Sequence, residues 1–248
     1  MAANPLSRDA RHLALPRIGE EGQRRISQGT ALLIGVGGIG CAAATYLASS
    51  GIGRLMLCDF DTVDETNLGR QVLYGPGNIG ELKAEVAAAR LRKVNPDVEV
   101  ISIPARLNDE ALAEAVVQAD VVLDGCDNFS TRFQVNDACV NVGRRLIAGS
   151  AIRFEGQLAV FGPDYGESPC YRCLYVEADE SLGNCAGNGV LAPVPGVIGT
   201  MMAAEALKYL AGIVTAAPVL RLYDAAATEF HHLAVQKRSD CPACSAIA

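Results

Sequence analysis

The sequence predicts an α/β fold, a mainly parallel sheet continued by antiparallel strands and closed by a four-cysteine staple. Three observations carry this reading. Short apolar runs alternate with helix-length segments as far as residue 150, the rhythm of a parallel sheet with crossover helices. Beyond 150 the rhythm changes to strand-like runs around one long apolar segment. Two Cys-x-x-Cys pairs, Cys170/Cys173 and Cys241/Cys244, are separated by 67 intervening residues.

Taken in order, the candidate strands of the first half are Ala31–Gly35, Arg54–Asp59, Val98–Ile103, Val121–Gly125 and Leu146–Gly149. The helices expected between them are Ile39–Ser49, Gly80–Val94, Asp109–Ala119 and Ser130–Val142. Asn108 is placed to cap the third, and Pro96 ends the second by disfavouring helix at Asn95. In the second half, Gln157–Phe161, Val219–Tyr223 and Glu229–Val235 read as strands and Gly196–Leu210 as a helix. No linker separates the halves, so residues 1–248 are expected to form one unit, with 1–150 as the nucleotide-type half.

Composition narrows the function. At 248 residues, half of them apolar and a fifth charged, the chain can bury a large core without disulfides. A net charge of −7 opposes a general grip on the phosphate backbone of nucleic acid. Without Trp, base-stacking platforms are poorly supplied. Nine cysteines and a polar opening, MAANPLSRDARH, fit a reduced cytoplasmic chain with no secretory segment. Ala31–Gly53 carries no charge over 23 positions, but six glycines divide it into strand, turn and helix instead of a membrane span.

Gly35-Val36-Gly37-Gly38-Ile39-Gly40 follows an apolar strand and opens a helix, a Rossmann-like context for binding phosphates. Glycines let backbone N–H groups approach phosphate oxygens at a helix N-terminus. Asp59, 19 residues past Gly40, stands where a carboxylate accepts hydrogen bonds from ribose hydroxyls. These features alone do not separate ATP from NAD.

The loop Thr66-Asn67-Leu68-Gly69-Arg70-Gln71 leaves the carboxyl edge of the sheet, where ligands bind. The Arg70 guanidinium suits phosphate oxygens. Lys83, in the first turn of its helix, opposes the macrodipole, so it serves either a phosphate or a surface pair with Glu81 or Glu85. Asp127, in Cys126-Asp127-Asn128 at the end of the fourth strand, is either a ligand for Mg²⁺ against a triphosphate or a helix cap.

Each Cys-x-x-Cys pair puts two thiolates on one turn, and two such turns close a saturated, structural Zn²⁺ site of Cys170, Cys173, Cys241 and Cys244. A redox reading fits less well, since neither pair opens a helix directly after a strand. Cys41, Cys58, Cys126 and Cys139 read as small core residues. Cys185, in the polar stretch Ser181-Leu182-Gly183-Asn184-Cys185-Ala186-Gly187-Asn188-Gly189, is a candidate nucleophile.

Together these motifs resemble the MoeB/ThiF/HesA family, bacterial relatives of ubiquitin-activating enzymes. The likeness runs through nearly the whole chain. It covers Arg8-Asp9-Ala10-Arg11-His12-Leu13, the glycine turn, DFDTVDETNLGRQ, Lys83, Cys126-Asp127-Asn128, Ala151-Ile152-Arg153-Phe154-Glu155-Gly156-Gln157 and both cysteine pairs. The resemblance implies adenylation, by Mg·ATP, of the C-terminal glycine of a small ubiquitin-like sulfur carrier ending in Gly-Gly, for thiamine or molybdopterin formation. It implies that Gly38 borders the phosphates, Asp59 holds the ribose, Asn67, Arg70 and Lys83 bind polyphosphate, and Asp127 orients Mg²⁺. Arg11 would reach the active site of a second protomer in a homodimer, and Cys185 would take part in sulfur transfer. Residues 151–248 would be the zinc-stapled, carrier-binding half. With no rhodanese-like extension after Cys244, sulfur is expected from a separate donor of the cysteine desulfurase or rhodanese type.

Two other functions are weaker. An NAD-dependent oxidoreductase accounts for the glycine turn and Asp59 but leaves Arg70, Lys83, Asp127 and the cysteine pairs unexplained. A zinc-stabilised scaffold without catalysis explains only the staple.

Overall fold

A computed structural model of the protein describes residues 8–176, 189–213 and 219–247. Its strands are β1 (Thr30–Ile34), β2 (Arg54–Cys58), β3 (Glu99–Ile103), β4 (Val121–Asp124), β5 (Arg145–Ile152), β6 (Glu155–Phe161), β7 (Val219–Asp224) and β8 (Glu229–Ala234). They form one sheet in the order β3-β2-β1-β4-β5-β6-β7-β8. From β3 to β5 every pairing is parallel, and from β5 to β8 every pairing is antiparallel. The change of pairing falls after residue 150, as the change in sequence rhythm predicts.

The helices are α1 (Ala10–Leu13), α2 (Gly19–Gln28), α3 (Gly38–Ser49), α4 (Lys83–Val94), α5 (Asp109–Gln118), α6 (Phe129–Asn141), α7 (Tyr171–Leu174) and α8 (Pro193–Leu210). Successive side chains of a strand point to opposite faces, so a strand covered on both sides is apolar throughout. In β1, Leu33 joins the core beneath α3, α4 and α8, with Leu47, Leu91 and Met202. Its neighbour Leu32 joins the other core beneath α5 and α6, with Val116, Phe133 and Cys139. The helix α8 packs close against α3 because Gly199 has no side chain: a Cβ there would sit 2.1 Å from the Ile39 carbonyl oxygen.

Element ends differ from expectation where local chemistry decides them. Helix α4 begins at Lys83, not Gly80. Gly80 takes a positive φ of 87° and donates its N–H to Val63, while Leu82 is held extended by a bridge to Thr62. Helix α8 starts earlier than expected, at Pro193, since a first-turn proline forfeits no helical hydrogen bond. Asn108 does cap α5, accepting from the Ala111 N–H at 2.9 Å.

Strand β1 lies between β2 and β4: the chain winds outward through β2 and β3 and then crosses back from β3 to β4 on the other side of β1. That reversal opens a crevice at the carboxyl ends of β1 and β4, the place where open α/β sheets bind ligands. Among the described residues, no helix is long and apolar enough to cross a membrane.

Candidate active site

The crevice is a cleft with a cavity volume of about 180 Å³. Its floor is the glycine turn. Gly35 has φ +82°, and a Cβ there would lie 3.0 Å from the Cys126 nitrogen, so β1 and β4 can approach only through glycine. At Gly40 a Cβ would fall 2.0 Å from the Gly35 carbonyl oxygen. Helix α3 starts at Gly38 with Gly37 at its cap position and no side chain spent on capping. Its first-turn N–H groups therefore remain for an anion, and Gly37, Gly38 and Ile39 all border the cleft.

Asp59 follows β2 and is buried at the cleft wall. Its Oδ2 accepts the Val36 N–H at 2.7 Å and its Oδ1 the Asp61 N–H at 2.9 Å. Burial raises its carboxyl above the ordinary aspartate value, against the pull of these donors and of the Lys83 charge. Each oxygen keeps a lone pair for a further donor.

Lys83 is also buried on the cleft, and its Nζ lies 2.9 Å from Asp61 Oδ2. The expected alternative, a surface pair with Glu81 or Glu85, does not form, because the Leu82 bridge aims the first residue of α4 at the β2 loop. Arg70 lines the cleft, with Nη1 on the Thr66 carbonyl at 2.9 Å. Beside it, Gln71 is buried, and its Oε1 has no partner among the described residues.

The remaining loop residues face elsewhere. Thr66 bonds Asp64, Asn67 closes a capping box with Asp64, Leu68 packs on the core, and Gly69 is exposed. None of these four borders the cleft; they shape the turn that presents Arg70.

At the end of β4, Asn128 and not Asp127 caps the next helix, accepting the Thr131 N–H at 2.8 Å. Asp127 is thereby left exposed on the cleft, its carboxylate unpaired among the described residues. Cys126, expected as a small core residue, is only partly buried and packs at the edge of the core. It lies in the β4–α6 turn and lines the cleft, as does Cys58. Burial pushes the Cys58 thiol up to about 12 and raises Cys126 well above the ordinary thiol, so neither is a ready nucleophile. Cys41, Cys58 and Cys139 are buried as expected.

Several cleft residues escape the sequence reading. Leu107, Leu112 and Val135 make one wall apolar. At the rim Arg106 lies over the Phe60 ring, 5.7 Å from its centroid. Arg132, on α6, is buried beneath the β4–α6 turn. Its signal in the sequence is a helical face, Arg132, Asn136 and Cys139, that turns inward. Arg11 is exposed on α1 and does not border its own cleft. Cys185 lies outside the described residues.

The four cysteines of the two pairs come together. Their Sγ atoms all lie within 4.8 Å of one another, with Cys170–Cys241 at 3.6 Å and Cys173–Cys244 at 3.5 Å. A tetrahedral zinc with Zn–S bonds of about 2.3 Å sets its sulfurs about 3.8 Å apart, so the cluster fits such an ion. Cys170 does precede a helix, the four-residue α7, though well after β6 ends at Phe161.

A model of the ThiF family matches residues 10–243. The chain belongs to this family. It is 44% identical to the sulfur carrier protein ThiS adenylyltransferase of Escherichia coli, over 96% of this chain and 94% of that protein. It is 43% identical to the adenylyltransferase and sulfurtransferase MOCS3 of Xenopus laevis, of which it spans about half, 54%. The fold of this ThiF-family chain also matches Escherichia coli MccB in a crystal structure with succinimide. The TM-score is 0.85 at 24% identity, over 98% of this chain and 75% of that one.

Proposed function

We propose that the protein is an ATP-dependent adenylyltransferase that activates the C-terminal glycine carboxylate of a ubiquitin-like sulfur carrier, for sulfur transfer in thiamine or molybdopterin formation. The observation that carries this is the meeting of Arg70, Lys83 and Asp127 around a glycine turn, an arrangement built for a polyphosphate and its metal. The named relatives, a sulfur carrier protein adenylyltransferase and an adenylyltransferase and sulfurtransferase, support the same reading.

In this reading the apolar wall of Leu107, Leu112 and Val135 receives the adenine, and Asp59 accepts both ribose hydroxyls. The N–H groups at Gly37–Ile39, Arg70 and Lys83 hold the phosphates. The unpaired oxygens of Asp127 suit a hard cation, and Mg²⁺ bound there supplies charge neutralisation on the polyphosphate. The carrier carboxylate is ionised near neutral pH and requires no base. One of its oxygens bonds to the α-phosphorus as the bond to the β-phosphate bridge breaks. Pyrophosphate leaves, and the carrier becomes an acyl-adenylate. Alignment and charge stabilisation do this work, with no thiol involved.

Residues 1–150 then form the nucleotide-binding half and 151–248 the carrier-binding half, tied to the fold by zinc on Cys170, Cys173, Cys241 and Cys244. Arg11 completes the cleft of a second copy, which makes the working form a cytoplasmic homodimer. Sulfur then comes from a separate donor, of the cysteine desulfurase or rhodanese type. ATP–pyrophosphate exchange with purified Gly-Gly carriers tests the reading: exchange that depends on both carrier and Asp127 supports it, and exchange without any carrier contradicts it.

A further inference from the structure

The residue before Asp127 is held at both ends by buried charge. Asp124, fully enclosed, accepts the Cys126 N–H on Oδ1 at 3.0 Å. Arg132 donates Nη2 to the Cys126 carbonyl, and the same nitrogen reaches the Gly149 carbonyl on β5 at 3.0 Å. The orientation in which the chain enters Asp127 is therefore set by Arg132 and Asp124. A buried guanidinium is costly unless it is paired and bonded, so its place is fixed by whatever supports it.

Beyond the two carbonyls, part of that support comes from residues beside the cysteine cluster. The Arg132 guanidinium lies over the Tyr171 ring, 6.0 Å from its centroid, and Tyr171 is the neighbour of Cys170. One turn along α6, Asn136 spans the same two residues. Its Oδ1 accepts the Tyr171 N–H at 2.8 Å, and its Nδ2 points to Cys170 Sγ at 3.7 Å. Next to it, Asp137 takes a two-pronged bond from Arg172, both contacts at 2.7 Å. One face of α6 thus touches the metal-type cluster at Asn136 and the nucleotide cleft at Arg132.

We propose that Arg132 is the positioning residue for Asp127, and that through Asn136 and Tyr171 it links the two sites, so that metal on the four cysteines and Mg·ATP in the cleft stabilise each other. The inference rests on the ATP reading of the cleft. Linkage makes it measurable from either side: if zinc tightens nucleotide binding, nucleotide tightens zinc binding by the same factor. With no link, the two sites ignore each other, as a purely structural staple would.

The test uses the full chain loaded with zinc. Calorimetry first establishes Mg·ATP binding. A chromophoric chelator then competes for zinc with and without saturating Mg·ATP. The expected result is an apparent zinc affinity raised about fivefold or more by the nucleotide. Arg132→Lys, which keeps the charge and loses the fork, should abolish that gain. It should also raise the Mg²⁺ concentration needed for half-maximal pyrophosphate exchange, a shift that simple loss of folded protein does not produce. If the wild-type protein binds Mg·ATP and its zinc affinity does not change, the inference is wrong and the ATP reading stands. A link that survives in Arg132→Lys also overturns it. Failure to bind Mg·ATP at all removes the ATP reading and the inference with it. The wild-type measurement decides even if the variant folds poorly.

Discussion

Lys83 and Asp61 meet at 2.9 Å, yet they are unequally buried: the ammonium is enclosed, and the carboxylate is more than half exposed. Asp61 therefore neutralises a cation that water hardly reaches. Asp61→Ala strands that cation, and a loss of about 1–2 kcal/mol is expected in denaturant unfolding, softened by the partial exposure of the pair. Mg·ATP should restore part of it, because phosphate oxygens replace the missing carboxylate. A variant as stable as wild type, or one that nucleotide does not rescue, contradicts Lys83 as a phosphate ligand.

Asp59 gives a pH signature. Burial raises its carboxyl in the folded protein, so between the unfolded value and the raised one the native state holds more protons than the unfolded chain. Its contribution to stability is therefore fully present below the unfolded value and is lost as pH rises through the folded one. Ribose binding runs the other way, since the ionised carboxylate is the better acceptor. ATP affinity should thus increase with pH across the raised value in wild type and lose that dependence in Asp59→Asn. Calorimetric titrations at several pH values below neutrality decide it; parallel profiles for the two proteins refute the ribose role.

How much of this was legible in the sequence depends on how local each feature is. The glycine turn, Asp59 and each cysteine pair are set by neighbours in the chain; the first two line the cleft, and the two pairs lie together. The partner of Lys83 was not legible, because a bridge between Thr62 and Leu82 aims it at Asp61. The Asp127 alternatives resolve on a single side chain: Asn128 takes the cap, which frees its neighbour. Arg132 was hidden because an arginine in a helix is ordinarily a surface residue. It turns inward only because carbonyls from the β4–α6 turn and β5 converge on it.

The cysteine cluster should carry one zinc per chain. Enclosed sulfurs 3.5 and 3.6 Å apart gain more from a shared cation than from weak thiol contacts. Elemental analysis of freshly purified, unchelated protein should find close to one equivalent, and strong chelation should lower the thermal midpoint. Less than half an equivalent contradicts the assignment.

Cys185 lies outside the described residues, so its prediction rests on chemistry. Carboxylate attack on phosphorus uses no thiol, and any part Cys185 plays comes after adenylation. Cys185→Ser should keep pyrophosphate exchange within about threefold, no more than about 0.7 kcal/mol in barrier. Mass spectrometry of the carrier, after incubation with ATP and a persulfide donor, reads the later step separately. Loss of exchange in the folded variant places the thiol in adenylation itself.

The central claim, carboxylate activation by ATP, is tested most directly by ATP–pyrophosphate exchange against a panel of purified carriers ending in Gly-Gly. Exchange should appear with at least one carrier, vanish when its terminal glycine is removed, and fall by about 10²-fold or more in Asp127→Ala. A folded, ATP-binding protein that exchanges pyrophosphate with no carrier in the panel, or an Asp127→Ala variant with undiminished exchange, contradicts it.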